Sequence, residues 1–345
     1  MCAIQTRTSH LWRLCTKILH FYHILKNEYK FICEYPSDVE LRGYCVVKLA
    51  DNNNNINKDS SQITLLSFGG SKYTKRHTLV MKYVSVWSNI SNKLNEFDKY
   101  NQWTPLTDNN NHSIIIGRYN DDYIGVRALI GGSNNHLLFI TYRSNTISVF
   151  DLNTFQFIKH HTLSTKNEIC YHCLVSENGQ VQEMMKTNGE KNKQNYRVLL
   201  FCKNEGLSIE YDEDNNAFQF HELPVCDSTA PFYKYAYVCI NDIVLFFGGW
   251  NNSNAVVSKS VHMYSIRENK WMTFQNTLIS PLRDCVAVLI EGENHIQIIG
   301  GSNDKRTLVS THMKTKVRVW DPSQLVMICL FIYFDENTIK FGCAK

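Results

Sequence analysis

Apolar residues in this chain come in short runs bounded by polar, turn-forming clusters, and the runs recur in a fixed order. Ile243–Gly249 reads IVLFFGG and Ile296–Gly301 reads IQIIGG, two apolar runs that each end on a pair of glycines. Leu65–Gly70, LLSFGG, is a third copy. Runs this short and this rich in β-branched and aromatic residues predict strands, not helices. Behind each comes a second segment carrying an aromatic: Glu96-Phe97-Asp98, Val261–Tyr264 and Val317–Asp321. The order persists where the glycines are lost. Leu137–Tyr142 precedes Val149-Phe150-Asp151, and Val198–Cys202 precedes Glu210-Tyr211-Asp212. Phe21-Tyr22-His23 near the start has the same look, and Gly131-Gly132 reads as a turn between strands.

From most of these aromatics a second one lies six or seven residues on, giving Tyr22/Tyr29, Phe97/Trp103, Phe150/Phe157, Tyr211/Phe218 and Tyr264/Trp271. Turn formers such as Asn153-Thr154 and Glu268-Asn269 sit between the members of a pair. The unit is a hairpin with facing aromatics. The leading aromatics fall at 22, 97, 150, 211, 264 and 320, so the repeat is 53 to 75 residues long. One such unit cannot bury both faces alone, and neighbouring units must stack. The glycine pairs Gly69-Gly70, Gly248-Gly249 and Gly300-Gly301 are expected where backbone from a neighbour approaches closely. Tyr264, Trp271 and Trp320 are expected to lie as apolar plates between sheets.

Double glycine, then Tyr, then Trp at this spacing resembles the Kelch repeat, whose units are four-stranded blades of a β-propeller. The resemblance is most specific in Ile243–Trp271 and covers roughly residues 20–321. Arg42 and Arg283 match the arginine that the family tends to place shortly before the innermost strand. The resemblance implies an all-β propeller of six four-stranded blades, with five as the alternative and the first blade incomplete. The expected organisation is an atypical segment 1–19, a propeller over 20–324, and a C-terminal strand or tail over 325–345. The polar stretches Asn52–Gln62 and Ser176–Asn195 are expected as loops.

Composition narrows the function classes. The 345 residues are 43% hydrophobic and only 20% charged, too apolar for disorder. A net charge of +4 with no Lys/Arg run argues against a nucleic-acid stripe. The longest apolar run, Leu325–Phe334, is about half a bilayer span. His20 and His23 interrupt Ile18–Leu25, which leaves no signal-peptide core and makes the cytoplasm the expected compartment. The sequons at Asn89, Asn111 and Asn251 are then expected to stay unmodified.

Chemical motifs are few. Cys170-Tyr-His-Cys173 has half the spacing of a zinc site, but Cys45, Cys239 and Cys285 recur in the same strand context, the mark of a packing position. No metal and no cofactor is expected. His160 and His161 are adjacent, so they point to opposite faces of a strand. Asp121-Asp122, Glu210–Asp214 and Asp227 read as solvated turns. No GxxxxGK[ST], GxSxG or HExxH occurs. What remains are the loops after the double glycines, with Lys72, Tyr73, Arg76 and His77, then Trp250 and Asn251, then Asn303, Lys305 and Arg306. Arginine beside aromatics is the usual make-up of a protein-binding surface. The family resemblance implies a non-enzymatic protein-binding propeller, a substrate receptor or scaffold whose partner is a ubiquitin-ligase component or a cytoskeletal protein. A galactose-oxidase-like enzyme and a degenerate structural paralogue are the alternatives.

Overall fold

The short apolar runs fold as antiparallel sheets of three or four strands, most strands pairing with the next in sequence and Ile243–Phe247 pairing with Val261–Ser265 across a loop hairpin. The computed structural model describes residues 2–6, 17–23, 26, 28–49, 62–86, 100–177, 196–229, 232–290, 294–309 and 312–320. The chain divides into two units, Met1–Tyr233 and Lys234–Lys345.

The first unit opens with the sheet β1 (Cys2–Thr6), β2 (Ile18–His23) and β3 (Glu28–Glu34). The second sheet is β4 (Tyr44–Leu49), β5 (Gln62–Gly69), β6 (His77–Val84) and β7 (Thr104–Pro105). The third is β8 (Arg127–Gly131), β9 (Leu137–Tyr142), β10 (Thr146–Asp151) and β11 (Gln156–Thr162). The fourth is β12 (Cys173–Ser176), β13 (Tyr196–Cys202), β14 (Glu205–Asp212) and β15 (Ala217–Glu222), and the short β16 (Phe232–Tyr233) ends the unit. In the second unit β17 (Ala236–Ile240) and β18 (Ile243–Phe247) are followed by a loop hairpin, β19 (Trp250–Asn251) and β20 (Val256–Val257). The sheet is completed by β21 (Val261–Ser265) and β22 (Lys270–Thr273). The last sheet is β23 (Val286–Ile290), β24 (His295–Ile299) and β25 (His312–Lys316). Among the described residues there are thus six blade sheets and no α-helix, and no helix is long and apolar enough to cross a membrane.

Burial follows position within the sheet. All six residues of β9 are buried, because a middle strand has a neighbouring sheet over each face. The outermost β11 alternates exposed and half-buried positions. Within the first unit β8 lies between β4 and β12, so consecutive innermost strands run side by side. Aromatic plates join the sheets. Phe21 of the first stacks on Tyr83 of the second at 4.0 Å, and Phe139 of the third stacks on Tyr196 of the fourth at 4.7 Å.

The register places four of the five aromatic pairs directly opposite one another, across the last two strands of their sheets. These are Tyr22/Tyr29, Phe150/Phe157, Tyr211/Phe218 and Tyr264/Trp271, with ring centroids 4.8, 5.1, 4.9 and 5.4 Å apart. The Tyr211 and Tyr264 hydroxyls donate to Asn216 and Asn269, which hold positive φ in the hairpin turns. Two aromatic positions need correction. Phe97 lies outside the described residues, and Tyr83 fills that register in the second sheet, facing the second residue of β5 as Tyr264 faces the second residue of β18. Trp103 instead stacks on Tyr35 at 4.9 Å. Val317–Trp320 is a 3₁₀ turn and not a strand. The third strand there is β25, with Thr315 in the aromatic register, and Trp320 folds back so that its indole N–H donates to the Thr315 hydroxyl at 2.9 Å. Leu325–Phe334, Asn89 and most of both long polar loops lie outside the described residues.

Candidate functional site

Antiparallel order fixes where the loops emerge. In every complete sheet the loop joining the second strand to the third, and the loop leading to the next innermost strand, lie at the end where the innermost strand begins. Lys72, Tyr73, Arg76, Trp250, Asn251, Asn303, Lys305 and Arg306 all belong to such loops.

The glycine pairs open the longer of these loops. A Cβ on Gly248 would sit 2.2 Å from the Leu282 carbonyl oxygen, and Gly249 N–H donates to that same oxygen at 2.8 Å. Gly70, at φ +126°, donates to Gly43 at 2.7 Å, and a Cβ on Gly69 would meet the same Gly43 oxygen at 2.3 Å. Gly300 and Gly301 also hold positive φ. The third and fourth sheets need no such pair, because their loops shrink to Arg143–Asn145 and Lys203-Asn204. Gly131 serves a different close contact: a Cβ there would enter the ring of Tyr196.

In the first unit these loops are tied together by charged side chains. Arg76 donates to the carbonyls of Tyr119 and Asp121, and its guanidinium lies 5.3 Å from the Tyr123 ring. Arg76 is therefore a brace between loops. Asp121 accepts from the Arg118 amide at 2.7 Å, the Arg118 guanidinium at 3.0 Å and the Tyr142 hydroxyl at 3.1 Å. Arg143 reaches Asp122 at 3.3 Å and Glu168 at 2.9 Å. Glu205 accepts from the amides of Lys166 and Asn167 at 2.8 and 3.1 Å. Asp121 and Asp122 are buried and ion-paired, not a solvated turn, each holding an arginine and accepting from a backbone N–H of its own loop.

His77 does not belong to the loop surface. It is the first residue of β6, buried, with Nε2 3.2 Å from the Ser67 hydroxyl, and burial pushes its imidazole down to about 4. Asn251 is buried as well, its side-chain oxygen accepting from Ser253 N–H at 2.9 Å. Asn303 likewise accepts from Thr307 N–H at 2.9 Å and shapes its own loop. Lys305 and Arg306 are exposed, and Trp250 is half-buried with the Arg283 guanidinium 4.3 Å above its ring. Lys72 extends over the exposed ring of Tyr73 at 4.9 Å. Arg42 is exposed.

The exposed large apolar side chains single out the same end of the sheets. Tyr73, Ile115 and Tyr119 lie in these loops in the first unit, and Val256, Ile279 and Leu308 lie in them in the second. Tyr119 is 94% exposed and Ile279 93%. Val286 begins β23 at that end, and the other three exposed large apolar residues, Tyr29, Phe31 and Ile158, lie on the outermost strands β3 and β11. Tyr119 and Ile279 escape a motif search. Their signal in the sequence is slight, a lone aromatic in the polar stretch RYND and a Leu-Ile pair in NTLISP of which Leu278 is buried and Ile279 exposed.

The described histidines and cysteines near these strands are packed into the sheets. Ser148 lies 2.7 Å from His160 Nδ1 but is fully buried, and His160 faces away from His161, which stacks on Phe220 at 4.8 Å. His172 is buried against the Thr141 hydroxyl at 2.6 Å, and burial holds it well below its ordinary range. Burial pushes the Cys285 thiol up to about 12 and Cys239 to about 11, which keeps them protonated and poor ligands. Among the described residues no three His, Cys, Asp or Glu side chains converge as a metal site.

A family model for the Kelch motif matches residues 231–276, the span that holds β17 to β22. No curated protein sequence matches the chain. The fold matches 594 solved chains. Among them the structure of YjhT aligns over 88% of this chain and 89% of its own, at a TM-score of 0.52 and 12% identity. So distant a likeness establishes the architecture and leaves function to the site.

Proposed function

Because the chain carries a Kelch motif and has the Kelch-type β-propeller fold, we propose that it is a non-enzymatic protein-binding module that engages its partner with the loop end where the innermost strands begin. The observation that carries this reading is the placement of the exposed apolar side chains. In each unit three of them sit in loops at that end of its own sheets, with Lys72 and Arg118 among the loop residues of the first unit and Lys305 and Arg306 among those of the second. Isolated apolar residues on strands are ordinary, but their gathering on loops with aromatic and cationic neighbours is the make-up of an interface. In the first unit the charged bridges keep those loops in one conformation, which lowers the entropy lost on binding. Such a module serves as a receptor or scaffold in the cytoplasm, with a ubiquitin-ligase component or a cytoskeletal protein as its partner class.

The test is quantitative affinity capture from cell extract. Tyr73→Ala with Tyr119→Ala tests the loops of the first unit and Ile279→Glu with Leu308→Glu those of the second; at least one pair should remove a captured partner while thermal stability stays within about 1 kcal/mol of the parent. Ile158→Glu on the outermost strand β11 should leave capture intact. Loss on Ile158→Glu alone would move the interface to the outer strands and refute this placement.

A further inference from the structure

We propose that His160 on β11 is an acid sensor for the loop that carries Tyr119: on taking up a proton it closes a one-way hydrogen-bond chain through Ser148 and Tyr142 to Asp121, and the loop stiffens. The effect is on the loop itself, independent of any partner that binds there. Strand pairing sets Ser148 of β10 opposite His160, and Tyr142, the last residue of β9, shares that face of the third sheet. His160 Nδ1 lies 2.7 Å from the Ser148 hydroxyl, and that hydroxyl lies 3.0 Å from the Tyr142 hydroxyl. Tyr142 donates to Asp121 at 3.1 Å. Arg118 donates to the Tyr142 oxygen at 3.1 Å and to Asp121 at 3.0 Å. Ser148 is fully buried, so water does not reach the middle of the chain, while His160 is only half-buried and can exchange a proton with solvent.

A serine hydroxyl has one proton to give, and this sets the logic. While Nδ1 of the neutral ring is an acceptor, Ser148 spends its proton there and has none for Tyr142. The protonated ring only donates. Ser148 must then accept from Nδ1 and turn its own proton to Tyr142, which already donates to Asp121. Every link now runs the same way, from a cation to a buried carboxylate, and aligned, charge-assisted bonds strengthen one another. Asp121 in turn accepts from the Arg118 amide at 2.7 Å, and its carbonyl holds Arg76, so its restraint passes to residues 118–122. By linkage a stiff loop also raises the proton affinity of His160.

The charged groups that act on His160 are Arg118 and Asp121. Lys159 and His161 of its own strand point to the opposite face, where His161 stacks on Phe220 at 4.8 Å. In the segment packed over its own face, Asp108 and His112 pair with each other at 3.1 Å. Burial first, and then Arg118, hold the ring below its ordinary value of 6.5, with Asp121 pulling the other way. The sensor therefore works in acid. A lowered value also means that the unfolded chain takes the proton first, so the stability from keeping His160 neutral is complete above pH 6.5 and is lost as pH falls. Acid thus loosens the fold as a whole while it tightens this one loop, and the opposite signs make the two effects separable.

Hydrogen exchange of the full chain, followed by mass spectrometry over residues 118–122 and corrected for the chemical rate, should slow about threefold or more from about pH 7 to pH 5, the size of one added net hydrogen bond. Ser148→Ala, which cuts the chain and leaves both ends in place, should abolish the slowing, as should His160→Gln. In nuclear magnetic resonance the His160 titration midpoint should fall by about half a pH unit or more in Ser148→Ala, and also in Tyr142→Phe, because the protonated ring loses its line of acceptors. The His161 midpoint should not move. A serine that merely fills space would lower the melting temperature on truncation and leave the His160 midpoint alone. A loop that exchanges faster in acid, or a Ser148→Ala protein that keeps the slowing or the midpoint, overturns the proposal.

Discussion

The fifth sheet and the third solve one geometric problem in opposite ways. Both must turn the chain from the second strand to the third. In the fifth, Gly248-Gly249 lets backbone from the following loop come so close that Leu282 occupies the space of a side chain. The loop it opens is long enough to hold a hairpin of its own, β19 and β20, and to expose Val256. In the third, the turn is only Arg143–Asn145, taken at positive φ by Ser144 and Asn145, and the contact with flanking loops passes to the Arg143 side chain. The lesson is that the double glycine marks a long loop folded across a neighbour. It does not mark the blade itself. A blade that shortens the loop loses the glycines and makes its loop contacts through charged side chains, Arg143 to carboxylates in the third sheet and Glu205 to backbone amides in the fourth.

The comparison can be broken most sharply at Gly248. Gly248→Ala should destabilise by about 3 kcal/mol or more, since positive φ and a backbone clash combine there. A cost under about 1 kcal/mol in urea unfolding would show that the close approach is not required. Next comes Trp271→Ala, expected to cost about 2–4 kcal/mol; the ring packs on Tyr264 and Phe246 but is only half-buried, which places it toward the lower part of the range for aromatic truncations. Arg143→Met should cost about 1–3 kcal/mol because Asp122 is left buried without its cation. Adding Asp122→Asn should recover part of that loss, and a double-mutant cycle with no coupling would remove the ion-pair half of the comparison.

Acid should strain both units through their buried histidines. His77 and His262 are each held down to about 4 by burial, below the ordinary value of 6.5. A folded-state value lowered in this way means the unfolded chain binds the extra proton first. The stability from keeping these rings neutral is therefore complete above pH 6.5 and is lost as pH falls toward 4. His77→Asn should flatten the stability profile in that window by about 1–2 kcal/mol, and an unchanged slope would contradict the burial of His77. The smallest effect is at the short turns. Lys203→Gly relieves a positive φ of 53° and should stabilise by about 0.5–1 kcal/mol, where a glycine at an ordinary turn position would destabilise.

Much of the fold was legible because hairpin pairing is local. The spacing of Tyr211 to Phe218 and of Tyr264 to Trp271 already demands that the two rings face each other across a turn. Register across a long loop was not legible. Phe97 and Trp320 stood at plausible intervals, yet Tyr83 and Thr315 hold the register, because loop length changes from sheet to sheet while strand pairing does not. The loop residues fared according to the same rule. Which loops lead from a second strand followed from the order of the runs, so Lys72, Tyr73, Lys305 and Arg306 could be placed. That His77 and Asn251 turn inward depended on groups such as Ser67 and on packing no local pattern records.

By itself the sequence determined the strand order, the facing aromatics and the sites of close backbone approach, since each depends on residues within one hairpin or on the absence of a side chain. Tertiary structure alone decided which cations are spent and which are free to act. Arg76 and Arg143 find acceptors supplied by other loops, Arg118 finds Asp121 within its own, and Arg283 lies over the Trp250 indole with no hydrogen-bond acceptor among the described residues. Charge is written in the residue type, but the partner that neutralises it is brought by the fold.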